Sequence, residues 1–399
     1  CISDPMPHKL HTVAILSILV FANFLSAQSR DERFRQNSNR SESRGLAEPF
    51  KGITTNGETE KGLFTIKQTG VSTEPVRQAA LSFLEALTKE QRAKTTYEVE
   101  DPEWRKWMNQ HFYVRQGVGF DEMDAVQRES AFGLLKASLS AKGLKLSRDI
   151  MNLNRTLGEM NNDDLEQYNE WLYWITIMGE PSATEPWGWQ IDGHHLIINY
   201  FVLGDQVVMT PLFVGSEPVV AESGKFKGTA VLQEEQDQAL AFMQGLKSEQ
   251  QDAATIQSDK THNNNLTEAF KDNVVLDYAG VKVSSFSKKQ KAQLLKLIAL
   301  YVDNMDEGHA RVRMDEVEAH LNETYFAWVG GTSDDAVFYY RIHSPVVLIE
   351  FDHQGPVGLR QYFPDRSPNR QHIHVVVRTP NGNDYGKDIL RQHHEKHSH

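Results

Sequence analysis

The chain has 399 residues, 39% hydrophobic and 24% charged, enough apolar side chain for one large domain or two ordinary ones. A formal net charge of −12 and a pI near 5.7 exclude nucleic acid or an anionic membrane as the main partner, while leaving room for a local basic pocket. Cys1 is the only cysteine, so thiol proteases, zinc ribbons and iron–sulfur clusters are excluded, and a metal would be held by His, Asp, Glu or backbone oxygen.

The first segment reads as an export signal over 1–27. Lys9 precedes an apolar run from Val13 to Phe24, closed by Leu25-Ser26-Ala27, and Met6 is a plausible start. The run is shorter than the ~20 residues of a membrane span, so no stable span is expected after signal removal. Residues 28–62 are rich in Ser, Arg, Asn and Glu and predict a flexible polar leader. A single α+β domain is expected over 63–395. Apolar residues Val76, Ala79, Ala80, Phe83, Leu84 and Leu87 recur at helical spacing, and similar patterns predict helices over 120–141 and 160–178. Trp189-Gln190-Ile191, His195 to Val202 and Gln206 to Met209 read as strands turning at Gly204-Asp205. Helices are expected again at 234–248 and at 288–303, where Ser287 and Gln290 make a capping box. A meander follows over 324–352, then a loop from Gln354 to Arg370, a strand, and a helix from Asp384 to His394. The fold class predicted is α+β, a helical N-terminal part packed against antiparallel hairpins and a C-terminal β-meander.

In that meander, polar residues fall at every second place. Strand geometry puts Arg341 and His343 on one face, with Glu350 and Asp352, and with His372, His374 and Arg378. Ile342, Ile349, Phe351, Ile373, Val375 and Val377 take the opposite face. Two imidazoles at i and i+2, His372 and His374, can converge on one ion. Gly193-His194-His195 offers a third ligand; neighbours on a strand face opposite ways, so one of His194 and His195 would join, and the flanking alternation leaves open which. Glu350 or Asp352 would serve as fourth ligand or general base. No lysine lies between Lys296 and Lys387, whereas Arg341, Arg360, Arg366, Arg370 and Arg378 do. The planar guanidinium suits carboxylate or phosphate, so Arg341 and Arg378 are read as holding an anionic group.

Three stretches carry a family resemblance: Glu185-Pro186-Trp187-Gly188-Trp189-Gln190-Ile191-Asp192-Gly193-His194-His195-Leu196, Thr210-Pro211-Leu212-Phe213-Val214-Gly215-Ser216-Glu217-Pro218, and Arg378-Thr379-Pro380-Asn381-Gly382-Asn383-Asp384-Tyr385-Gly386. With His372-Ile373-His374 and Leu390-Arg391-Gln392-His393, the chain resembles the secreted family called domain of unknown function number 3500, over roughly 70 to 395. The resemblance implies one family domain and no activity, so function has to come from the site. The reading is an exported, metal-dependent hydrolase acting on a small or oligomeric anionic substrate, with zinc as first choice of metal. Copper or iron in the same cage would make it an oxidoreductase. A periplasmic or surface binding protein for carbohydrate or organic acid is the opposing class.

Overall fold

A computed structural model of the chain describes residues 30–397. The expected signal segment lies outside them. One mixed sheet, mostly antiparallel, carries both strand regions. The hairpin region supplies β1 (Thr96–Tyr97), β2 (Val118–Gly119), β3 (Tyr173–Met178), β4 (Trp187–Gly193), β5 (Leu196–Leu203), β6 (Gln206–Val208) and β7 (Leu212–Ser216). The later region supplies β8 (Thr255–Gln257), β9 (Val281–Lys282), β10 (Tyr325–Gly330), β11 (Phe338–His343), β12 (Leu348–His353) and β13 (Ile373–Arg378). The order is β1-β3-β4-β5-β7-β13-β12-β11-β10-β8, so hairpins and meander meet where β7 pairs with β13. The α+β expectation holds, with its two β regions fused into one sheet.

Alternation divides the sheet into two unlike faces. Ile349, Phe351, Ile373, Val375 and Val377, with Ile191, Ile198 and Val214 from the hairpins, point into the main core. That core is closed by α2 (Glu74–Ala86), α4 (Ala125–Ser138), α5 (Ala141–Met160), α6 (Gln233–Gln244), α8 (Lys288–Val302) and α9 (Glu307–Ala319). Burying such side chains is worth about 1.5–3 kcal/mol each, so this face holds the sheet in place. The opposite face is covered by loops, by Trp104, Trp107 and Tyr113, and by α10 (Lys387–Lys396). Two short helices, α3 (Lys89–Thr95) and α7 (Ser248–Ala254), and the N-terminal α1 (Arg30–Leu46) complete the described α-helices. No helix among the described residues is long and apolar enough to cross a membrane.

Two expectations differ from the structure. The helix predicted over 160–178 is absent: α5 ends at Met160, Asn162 and Asp163 turn left-handed, and β3 begins at Tyr173. Left-handed Asn and Asp stop a helix, and the run Tyr173-Trp174-Ile175-Thr176-Ile177 is aromatic and β-branched, which suits a strand. The apolar spacing there is that of a loop followed by a strand. The stretch 28–62 is tied to the fold from Ser38 onward. Ile53 is fully buried, Thr54 bridges Val275, and the backbone of Glu60 donates to Asn381. These ties are mostly backbone hydrogen bonds, which a polar composition does not reveal.

Candidate metal centre

The seam between the sheet halves creates the site. β7 lies between β5 and β13, with His374 opposite Gly215. His195 closes the turn into β5, and its carbonyl accepts from the Gly215 amide at 2.9 Å. A side chain at Gly215 would stand 3.1 Å from the His195 ring and 3.3 Å from the His374 ring, and 2.5 Å from the Ile373 carbonyl. Only glycine lets the two imidazoles close over that strand.

Three Nε2 atoms meet there. His195 lies 3.2 Å from His372 and 3.1 Å from His374, and His372 lies 3.0 Å from His374. All three side chains are buried, and among the described residues they form the one His/Cys/Asp/Glu cluster with metal-ligand spacing. His194 is not among them. Its Nδ1 faces Asn154 Oδ1 at 2.7 Å, and its ring lies tilted against that of His195 with centroids 4.0 Å apart. Strand parity does not apply to the pair, because both residues form the two-residue turn between β4 and β5 and His195 is left-handed at φ 63°. Histidine is one of the residue types that tolerates this conformation, at a cost, and such strain gathers at functional sites.

The far side of each β13 imidazole is held. His372 Nδ1 donates to the Gly355 carbonyl at 2.8 Å, with Glu217 3.8 Å away. His374 Nδ1 faces Glu268 Oε2 at 3.1 Å. Burial and neighbouring histidines hold His194 and His195 well below the usual imidazole range. Burial brings His372 down to about 4, against the pull of Glu217. Burial works to raise Glu268, but the charge and hydrogen bond of His374 bring it below the usual carboxylate range.

The other sequence candidates share the face and not the site. Register places Asp352 opposite His374 and Glu350 opposite Val376, so the predicted common face is real. Both carboxylates are occupied by one loop. Glu350 accepts from the backbone N–H of Leu266 and Thr267 and from the Thr267 and Tyr339 hydroxyls. Asp352 pairs with Lys260 at 3.0 Å and accepts from the Asn264 and Asn265 amides. Burial pushes Asp352 up to about 6, with Lys260 opposing. Arg378 is fully buried on Asp272, Asp384 and the carbonyls of Thr267 and Ala269. Arg341 donates to the Asp277 carbonyl, with no carboxylate in ion-pair reach among the described residues. Neither arginine lines the cleft above the histidines. Glu350, Asp352 and Arg378 fasten the 260–272 loop to the sheet, Arg341 holds the Asp277 carbonyl, and none of the four reaches the cleft where catalysis was expected of them.

The same loop delivers the carboxylate that sequence reasoning missed. Glu268 follows Leu266 and Thr267 by two and one positions, so clamping those amides on Glu350 sets Glu268 against His374. Nothing local to Thr267-Glu268-Ala269 marks it. Glu217 and Gly215 lie inside a stretch already singled out for its family resemblance, and that was the available signal. The histidines open into a cleft of about 680 Å³ that also takes in His111, Tyr168, Lys271 and Arg360. The His111 ring packs at a tilt against Tyr168, with centroids 4.6 Å apart.

Comparison with known proteins agrees with the resemblance. The model of the family described as Protein of unknown function (DUF3500) matches residues 69–387, and the chain belongs to that family. A search of the curated proteins and a search of the solved structures each found no match.

Proposed function

We propose that the protein is an exported metal-dependent hydrolase whose ion, zinc in the first instance, is held by His195, His372 and His374. The observation that carries the reading is where the imidazole protons must sit. A carbonyl or carboxylate oxygen only accepts, so Nδ1 of His372 and of His374 each carries the hydrogen. With both rings neutral, as metal ligation requires, Nε2 of each bears a lone pair, and those two lone pairs face each other across 3.0 Å. A cation between them and the third Nε2 turns that repulsion into ligation. On a sphere of about 2.1 Å radius, the zinc–nitrogen distance, such spacings subtend angles of about 90–100°. An all-imidazole set favours zinc, copper or iron over magnesium and calcium.

His195, His372 and His374 would hold the zinc ion, which would supply a bound water of pKa ~7 for attack on an ester or amide. The chain's own groups support this. Glu268 and the Gly355 carbonyl orient the rings and make them better donors. Glu268 Oε1, which no described residue occupies, takes the general-base role first given to Glu350 or Asp352. Export is part of the proposal and rests on the Val13–Phe24 run alone.

Chelation followed by zinc readdition, with chromogenic ester and amide substrates, tests the activity. Loss and recovery of hydrolysis is the expected result. Hydrolysis indifferent to chelation contradicts the metal role, and restoration only by copper or iron, with oxidation products, turns the reading to an oxidoreductase. Mass spectrometry of exported protein should show a chain starting near Gln28.

A further inference from the structure

We propose that the ligand of this cleft is a hydroxyl-rich carboxylate, a sugar acid, anchored by Lys271 and Arg360. The inference deepens the metal-centre reading and rests on it. Charge decides the first half. The two carboxylates of the cleft are engaged: Glu217 accepts from the amides of Val357, Gly358 and Leu359 at 2.8–3.1 Å, and Glu268 faces His374. The two cations make no contact ion pair among the described residues. The Lys271 charge acts on Glu268 from beyond ion-pair distance, and Arg360 donates only to the Pro356 carbonyl, at 3.3 Å. With a divalent ion on three neutral imidazoles, the cleft mouth is positive on a chain whose net charge is −12. An anion is drawn to such a mouth and a cationic ligand is repelled.

The remaining lining decides the second half. Eight of its side chains are carboxamides, among them Asn109, Asn161, Asn263, Asn265 and Gln361. Each carries a donor and an acceptor, and where one end is bonded within the chain, as in Asn161, Asn263, Asn265 and Gln361, the other is left for a ligand hydroxyl. The Oδ1 atoms of Asn109 and Asn265 are buried with no hydrogen-bond partner. A buried acceptor left unmatched costs about 1–3 kcal/mol, so both amides gain by turning toward a ligand hydroxyl in the cleft. Pockets of about 300–1,000 Å³ take ligands of drug size, so a cleft of about 680 Å³ suits one or two sugar rings.

Calorimetric titration of the zinc-loaded full chain tests this, with D-glucuronate, D-glucose, D-glucosamine and inorganic sulfate as probes. Glucuronate should bind at least tenfold tighter than glucose and sulfate, with glucosamine weakest. K271M and R360M should each weaken glucuronate about tenfold while zinc content stays unchanged. Glucose or sulfate binding as tightly as glucuronate overturns the inference, as does indifference to both substitutions. A chain with stoichiometric zinc that binds none of the probes refutes the ligand and leaves the metal reading standing. A chain that takes up no zinc removes both.

Discussion

Two polar groups sit side by side on the loop-covered face of one sheet, and their fates differ. At β12, Glu350 and Asp352 are met by a loop whose amides, hydroxyls and ammonium fill their acceptor positions. At the seam, three imidazole nitrogens point at one another, and their outer nitrogens are already engaged on β13. A buried polar group whose complement comes from its own chain is an anchor. One whose lone pairs converge on a shared point is built for something the chain does not contain. Alternating polar residues on a strand announce a polar buried face and do not distinguish the two.

The largest effect should come from the anchor. Glu350→Leu strands two backbone amides and two hydroxyls and should cost about 3–5 kcal/mol, read as a lower denaturant midpoint. His374→Ala should cost far less stability and remove the metal. If Glu350→Leu is harmless, the contrast between the groups collapses. Gly215→Ala, which drives a methyl against the Ile373 carbonyl and both rings, should cost about 1–3 kcal/mol and weaken metal binding at least tenfold. Glu268→Gln should keep the fold and lower metal affinity about 10–100-fold in competition with a chelating dye.

The effect that is smallest at neutral pH, and appears only in acid, concerns His343, at the far end of β11. Its two ring nitrogens are buried without partners, and burial, with Arg341 nearby, brings it down to about 3. It stays neutral in the fold and gains a proton near pH 6.5 when unfolded. Its contribution is therefore present above that pH and lost as pH falls from about 6.5 to about 3, by at most ~1.4 kcal/mol per pH unit. His343→Phe should flatten the acid limb of the stability curve relative to the parent. Parallel curves for the two proteins would show that His343 titrates normally.

Much of this was legible in the residues. Ile373, Val375 and Val377 against His372 and His374 gave both faces of β13 and two ligands, and Gly193-His194-His195 gave the third within one residue. Which of the pair joins was not legible, since parity fails in a two-residue turn. Glu268 was hidden because it acts from a loop some hundred positions away in sequence, positioned by hydrogen bonds to Glu350. The same loop explains the misassigned carboxylates: an amide-donating cap leaves no periodic trace. Near 160–178, apolar spacing alone matched a helix, while the aromatic and β-branched content of 173–177 already favoured a strand.

Elemental analysis of the full chain purified without an affinity tag, beside its His372→Ala/His374→Ala and Asp352→Asn variants, is the most direct test. Close to one zinc, copper or iron per chain in the parent and in Asp352→Asn, and none in the double histidine variant, is the predicted result. Metal-free parent protein at a pH well above the imidazole range of about 6.5, after exposure to each of the three ions, would contradict it.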